Sequence, residues 1–204
     1  MKIICVGRNY AEHARELNND LPTEPVLFLK PETALLPKNH PFFYPDHTQN
    51  LHYELELVLR IDRLGKHIEP QFAHKYYSEV GLGIDFTARD TQDRCKKAGL
   101  PWEIAKAWDH SAPLSETFVD LKNLANPKNI LFEMLKNGET VQKGYSGDMI
   151  FAFDQLVSYI SKYFTLKIGD LIYTGTPGGV GPVQKGDILT GILEGKKLIE
   201  VAIK

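Results

Sequence analysis

Leu51-His52-Tyr53-Glu54-Leu55-Glu56-Leu57-Val58-Leu59-Arg60-Ile61 is the stretch that decides the fold, because apolar and polar residues alternate over most of its length with the period of a β-strand. One face collects Leu51, Tyr53, Leu55, Leu57 and Leu59; the other collects His52, Glu54, Glu56, Val58 and Arg60. Glu54 and Glu56 therefore point the same way. Two carboxylates at i, i+2 repel one another and glutamate is a poor strand former, so the pair calls for water, a cation or a metal. A solvated outer face and a cation site both meet that demand.

Upstream of this strand, Lys2–Val6 reads as a strand and Tyr10–Leu17 as a short helix that Asn9 caps, with Glu12 three residues on. Pro31, Pro37, Pro41 and Pro45 break the approach to Leu59 into short extended pieces. Downstream, a helix is expected at Pro70–Tyr77, a strand at Glu79–Ala88, and a charged helix at Asp90–Lys97 that Gly99-Leu100-Pro101 closes. Further strands are expected at Ile130–Lys136, Glu139–Lys143, Asp170–Thr174, Asp187–Leu193 and Leu198–Ile203, with one good helix at Phe151–Tyr163. Asn137-Gly138, between two of these strands, is a type I′ hairpin signal, since that turn needs positive φ at both central positions. The fold class is thus mixed α+β and strand-dominated. With no Gly-x-Gly-x-x-Gly after the first strand and no phosphate loop, a doubly wound nucleotide fold is disfavoured.

The 204 residues carry 24 Lys and Arg against 26 Asp and Glu, a formal net charge of −2, and are 43% hydrophobic. A chain of that size hides roughly 70% of its unfolded surface, so one domain over residues 1–204 is expected, with no internal repeat to divide it. Interspersed charge of both signs offers no basic stripe for nucleic acid. Apolar runs such as Ile3-Ile4-Cys5-Val6 fall far short of the roughly 20 residues that span a bilayer, and no secretory signal opens the chain. Cys5 and Cys95 lack a Cys-x-x-Cys partner, which argues for reduced thiols and a cytoplasmic protein.

Other residues stand out for their chemistry. Asp85 is the one carboxylate in the apolar run Val80–Ala88, and a buried carboxylate asks for a partner. If its strand neighbours Leu51–Ile61, three oxygen donors converge in a manner that suits Mg²⁺ or Mn²⁺. His13 and Glu16, at i, i+3, form either a surface pair or a dyad in which Glu orients a general base. Lys106, in Trp102-Glu103-Ile104-Ala105-Lys106-Ala107-Trp108, is either a desolvated cation for a developing oxyanion or a snorkelling side chain. Thr174-Gly175-Thr176-Pro177-Gly178-Gly179-Val180-Gly181-Pro182 can set backbone N–H groups against an anion, or simply connect two strands.

Taken together, Val6-Gly7-Arg8-Asn9-Tyr10 with His13, Pro25–Pro31, Asn50–Leu57, Asp85–Gln92, Leu100-Pro101-Trp102 with Lys106, and Gly175–Pro182 resemble, in order, the fumarylacetoacetate hydrolase superfamily. The chain is most similar to its short single-domain acylpyruvase and oxaloacetate decarboxylase branch, since it lacks the amino-terminal domain of fumarylacetoacetase proper and the duplication of the catabolic isomerase-decarboxylases. The resemblance implies a β-roll or flattened-barrel sandwich with short peripheral helices, assembled as a homodimer. It implies Mg²⁺, with Mn²⁺ or Ca²⁺ as substitutes, on Glu54, Glu56 and Asp85, and a His13–Glu16 dyad on a lid helix. Gln92 and Lys106 match residues beside the substrate, and Arg8, Tyr10, Arg89 and Thr176 match further pocket positions. The expected reaction is cleavage of a 3-acylpyruvate or of oxaloacetate through a pyruvate enolate. Isomerisation or tautomerisation of a 2-hydroxy-dienoate or of oxaloacetate is the alternative.

Overall fold

In the computed structural model, residues 1–12, 20–38 and 40–204 are described. The expected helix from Tyr10 to Leu17, with His13 and Glu16, lies largely outside them. In chain order the first strands are β1 (Ile3–Gly7), β2 (Val26–Lys30), β3 (Leu51–Tyr53), β4 (Leu55–Ile61), β5 (Tyr77–Ile84), β6 (Thr87–Ala88) and β7 (Val119–Asp120). There follow β8 (Leu131–Lys136), β9 (Glu139–Tyr145), β10 (Leu171–Tyr173), β11 (Gly181–Pro182), β12 (Ile188–Leu193) and β13 (Lys196–Ala202). The α-helices that lie wholly within the described residues are α1 (Arg89–Ala98), α2 (Glu103–Lys106) and α3 (Phe153–Tyr163). The helix expected at Pro70–Tyr77 is a 3-10 helix over Pro70–Lys75.

The strands form a six-stranded sheet of order β2-β1-β10-β4-β5-β7, a four-stranded sheet β13-β12-β8-β9 and a three-stranded sheet β11-β3-β6. β1 runs parallel to β10 and every other paired neighbour is antiparallel. Leu55, Leu57, Leu59 and Leu82 of the large sheet share one core with Phe132, Met134, Leu189 and Ile199 of the hairpin sheet, and α3 adds Leu156, Val157 and Ile160. A smaller apolar cluster of Ile3, Cys5, Val58, Leu171 and Tyr173 covers the other face of the six-stranded sheet. β4 is consequently buried on both faces, with only Arg60 exposed, so the solvated outer face that alternation allowed for Glu54 and Glu56 does not occur.

The deciding stretch is also two strands rather than one. At Glu54 it leaves the three-stranded sheet and enters the six-stranded one, and its neighbour does the same at Asp85-Phe86, between β5 and β6. The two breaks lie side by side, joined by the Asp85 N–H donating to the Glu54 carbonyl at 2.8 Å. This is where the carboxylates gather.

The helix that Asn9 was expected to cap lies largely outside the described residues, and Asn9 makes long-range contacts. Its Oδ1 accepts from the Phe151 N–H at 2.8 Å, and its Nδ2 donates to the carbonyls of Phe151 and Thr174 at 3.0 and 2.8 Å, which knits β1 to the loop before α3 and the loop after β10. Gly175 has φ +98°, and a Cβ there would meet Asn9 at 2.7 Å, so both the backbone conformation and the close approach require glycine.

Candidate metal centre and active site

Glu54, Glu56 and Asp85 are buried, and one carboxylate oxygen from each lies within 4.8 Å of the others. Three negative charges at such distances in a low-dielectric setting are costly unless cations answer them. Lys106 is the first answer. From α2, its ammonium donates to Glu54 Oε2 at 2.8 Å, to Asp85 Oδ2 at 2.6 Å and to Thr87 Oγ1 at 2.6 Å, which uses all three of its hydrogens. Burial opposes its charge, but the Asp85 and Glu54 carboxylates hold its pKa above the ordinary lysine range, so it is an ammonium and not a base.

Lys30, at the end of β2, is the second answer. Its Nζ sits 2.8 Å from Asp85 Oδ1, off the direction of a hydrogen bond, and donates to the Ser111 carbonyl and hydroxyl at 3.1 and 3.0 Å and to the Lys106 carbonyl. Arg89, at the start of α1, is the third. It reaches Glu54 Oε1 at 2.5 Å and donates to Gln92 Oε1 at 2.7 Å, which fixes the Gln92 amide.

Glu56 is treated differently. It accepts from the Gly175 N–H at 2.8 Å, and burial, reinforced by the charges of Asp85 and Glu54, pushes its carboxyl pKa well above the usual range. A group held so unfavourably as an anion is one that a divalent cation would rescue. All the donors are hard oxygens and Asp85 Oδ1 has no hydrogen bond, so the residues present fit a Mg²⁺- or Mn²⁺-type ion.

Of the residues expected from the sequence, Arg8, Glu54, Glu56, Asp85, Arg89, Gln92, Lys106 and Thr176 line a single cleft, joined by Phe28, Lys96 and Trp102. Thr176 has its hydroxyl committed, donating to the Leu55 carbonyl at 2.8 Å and accepting from Gln142 at 2.9 Å. Tyr10 lines a neighbouring cleft instead, with Glu12, Lys143, Asp148 and Pro177. His13 and Glu16 lie outside the described residues. Sequence reasoning missed Lys30 and Lys96. Lys30 had a signal, a lysine closing the apolar strand Val26-Leu27-Phe28-Leu29 just before a proline; Lys96 looked like one charge among several on α1. Among the described residues no helix is long and apolar enough to cross a membrane.

Comparison with known proteins agrees with this geometry. The family model described as fumarylacetoacetate (FAA) hydrolase C-terminal matches residues 2–201. Oxaloacetate tautomerase FAHD1, mitochondrial, from Bos taurus is 45% identical over 193 residues, 95% of this chain and 87% of that protein. Oxaloacetate tautomerase YcgM from Escherichia coli K12 is 43% identical over 197 residues, 97% and 90% of the two chains. The solved structure of fumarylpyruvate hydrolase from Pseudomonas aeruginosa in complex with Mn²⁺ and pyruvate superposes with a TM-score of 0.92 at 37% identity, covering 100% of this chain and 89% of that one. The chain belongs to the fumarylacetoacetate hydrolase family.

Proposed function

We propose that the chain is a divalent-metal-dependent enzyme that interconverts the keto and enol forms of oxaloacetate. Glu54, Glu56 and Asp85 would hold the metal. When bound, the ion would supply a Lewis acid for the 2-oxo group of the substrate. The names of the curated relatives support the substrate, and the observation that carries the reading is the buried carboxylate triad wired to a permanently charged Lys106.

Tautomerisation takes a proton from C3, develops negative charge on the oxygen at C2 and ends with a proton on that oxygen. Lys106 answers that charge by donating a hydrogen bond to the oxygen, and because its three hydrogens are already used, one of its present bonds must be exchanged for it. Gln92, its carbonyl end pinned by Arg89, keeps its NH₂ end to orient a ligand. His13, oriented by Glu16, is the candidate to carry the C3 proton. Mg²⁺ as the resident ion, a homodimer as the assembly and a cytoplasmic setting are part of the same proposal.

Cleavage to pyruvate, by hydrolysis of an acylpyruvate or decarboxylation of oxaloacetate, is the second reading. It places its charge on the same oxygen, and the pyruvate-bound neighbour favours it. One assay separates the readings: ultraviolet decay of oxaloacetate enol, and coupled detection of pyruvate from oxaloacetate and from acetylpyruvate, each with Mg²⁺, with Mn²⁺ and with EDTA. Metal-dependent loss of enol without matching pyruvate is expected; pyruvate formed in step would install the cleavage reading, and neither signal would overturn both. In parallel, Glu56→Ala should weaken Mn²⁺ binding by about 100-fold or more in calorimetry, since even outer-sphere changes cost about 10–100-fold. Unchanged Mn²⁺ affinity would reject Glu56 as a ligand.

A further inference from the structure

Helix α1 carries Arg89, Gln92 and Lys96 at i, i+3 and i+7, so the three side chains form one stripe along the wall of the cleft. The stripe begins deep. Arg89 is bonded to Glu54, and Gln92 to Arg89. Seven residues on, about 10 Å along the axis, Lys96 is half-buried at the mouth, its Nζ 5.9 Å from the centre of the Trp102 ring. Arg8 reaches the same ring from the end of β1, with its Cζ 6.0 Å from the centre, on a residue held at φ +60°.

Two cations on one indole repel each other. Burial lowers the Lys96 ammonium pKa below its usual range, and the positive charges of Arg89 and Arg8 lower it further. Among the described residues no carboxylate lies within ion-pair distance of Lys96 or Arg8, although Arg89, Lys30 and Lys106 are all paired. The charge count points the same way. Those three cations balance Glu54, Glu56 and Asp85, so a divalent ion would leave two positive charges in excess at the floor, and Lys96 and Arg8 add two more at the rim. A monocarboxylate brings one negative charge to the floor and none to the rim.

We infer that Lys96 and Arg8, across Trp102, form a subsite for a second carboxylate, and that Lys96 is the residue by which the enzyme selects dicarboxylic 2-oxo acids over monocarboxylic ones. The inference rests on the proposed function, which places the 2-oxo-acid end of the ligand at Glu54, Glu56 and Asp85. From there the α1 stripe leads outward to Lys96. Lysine suits such a post, because a point charge on a flexible stem tolerates ligands of different length, whereas Arg8 can grip a carboxylate with two parallel hydrogen bonds.

The test uses two ligands that differ only at the far end, oxaloacetate and 2-oxobutanoate, in which a methyl replaces the distal carboxylate. Each is titrated by rapid mixing into the Mn²⁺-loaded protein while tryptophan fluorescence is followed, since Trp102 lies under both cations. The wild type should bind oxaloacetate at least about tenfold more tightly than 2-oxobutanoate, the scale of one charge-assisted hydrogen bond. Lys96→Met should remove most of that preference while leaving 2-oxobutanoate affinity within about twofold, and Lys96→Arg should restore it. Far-UV circular dichroism confirms that each variant is folded. Equal wild-type affinity for the two acids, or a preference that survives Lys96→Met, would overturn the inference and leave the proposed function standing. If the wild type bound neither acid, the proposed function would itself fall.

Discussion

The four-stranded hairpin sheet and the six-stranded sheet use similar residues and handle charge in opposite ways. In the hairpin sheet Glu139, Lys143, Lys197 and Glu200 all face solvent, and each strand alternates between core and water. In the six-stranded sheet and at its junction with β3 and β6, Lys30, Glu54, Glu56 and Asp85 are buried and answer one another. Partners in the hairpin sheet are mostly close in sequence. Those of the junction are remote, with Lys106 52 residues from Glu54 and Gly175 119 residues from Glu56. One sheet carries stability that local pattern explains, and the other carries a candidate centre whose charges only the assembled chain can neutralise.

Lys30 tests that contrast most severely. Its ammonium is buried between Asp85, Ser111 and the Lys106 carbonyl, so Lys30→Met leaves a buried carboxylate with one cation fewer. Breaking a buried pair from one side costs about 3–5 kcal/mol, and urea unfolding of the metal-free protein should show that loss. Lys197, 3.0 Å from Glu200 on the hairpin sheet, is the control; with both groups exposed, Lys197→Met should not measurably move the unfolding midpoint. If Lys30→Met were equally silent, the contrast between the sheets would fail.

Asp170 gives a smaller effect, and one that depends on pH. At the start of β10 its carboxylate accepts from the Lys2 and Lys167 N–H groups at 2.8 Å each and pairs with the Lys2 ammonium at 2.5 Å. Burial alone would raise its pKa, but these partners hold it below the ordinary aspartate range. A carboxyl depressed by folding contributes stability above its unfolded pKa of about 3.9, and that contribution is lost as pH falls through the lower folded value. Asp170→Asn should therefore cost about 1.5 kcal/mol at pH 7, and the gap to the wild type should narrow as pH falls through the folded value. A gap independent of pH would assign the loss to packing rather than charge.

These environments explain what could be read in the sequence. Alternation located β8, β9, β12 and β13, because a strand with one wet face writes its orientation into its residues, and it located β4 although neither face of that strand is wet. The same rule misjudged the second face of β4, since Val58 packs into the smaller cluster beneath the sheet and nothing in Leu51–Ile61 reports that cluster. Glu54, Glu56 and Asp85 were legible because carboxylates in apolar strands are conspicuous. Their convergence was legible on the condition that the two strands pair, which β4 and β5 do; the side-by-side breaks at the Asp85–Glu54 backbone bond were not. Asn9 carries a second role that no local pattern reports, because partners at Phe151 and Thr174, more than a hundred residues away, engage both ends of its amide. Lys30 and Lys96 need the fold itself, since a lysine's sequence neighbours say little about which carboxylate or ring its long stem will reach.

The mildest test lies in the hairpin. Asn137 and Gly138 have φ +54° and +88°, and the two-residue turn sets Lys136 opposite Glu139, as a type I′ turn requires. Asn137 also extends the ladder, because its Oδ1 accepts from the Ile188 N–H at 2.9 Å and its Nδ2 donates to Asp187 at 2.8 Å. No atom lies within 4 Å of a Cβ built on Gly138, so Gly138→Ala changes backbone preference and touches nothing else. A left-handed conformation costs a non-glycine residue roughly 1 kcal/mol, and chemical unfolding should register that loss. Calorimetric Mn²⁺ affinity should stay at the wild-type value, because no ligand of the candidate centre comes from this sheet. If metal affinity fell together with stability, the hairpin sheet would be shaping the centre through the core that it shares with Leu55 and Leu57, and the separation between the two regions would not hold.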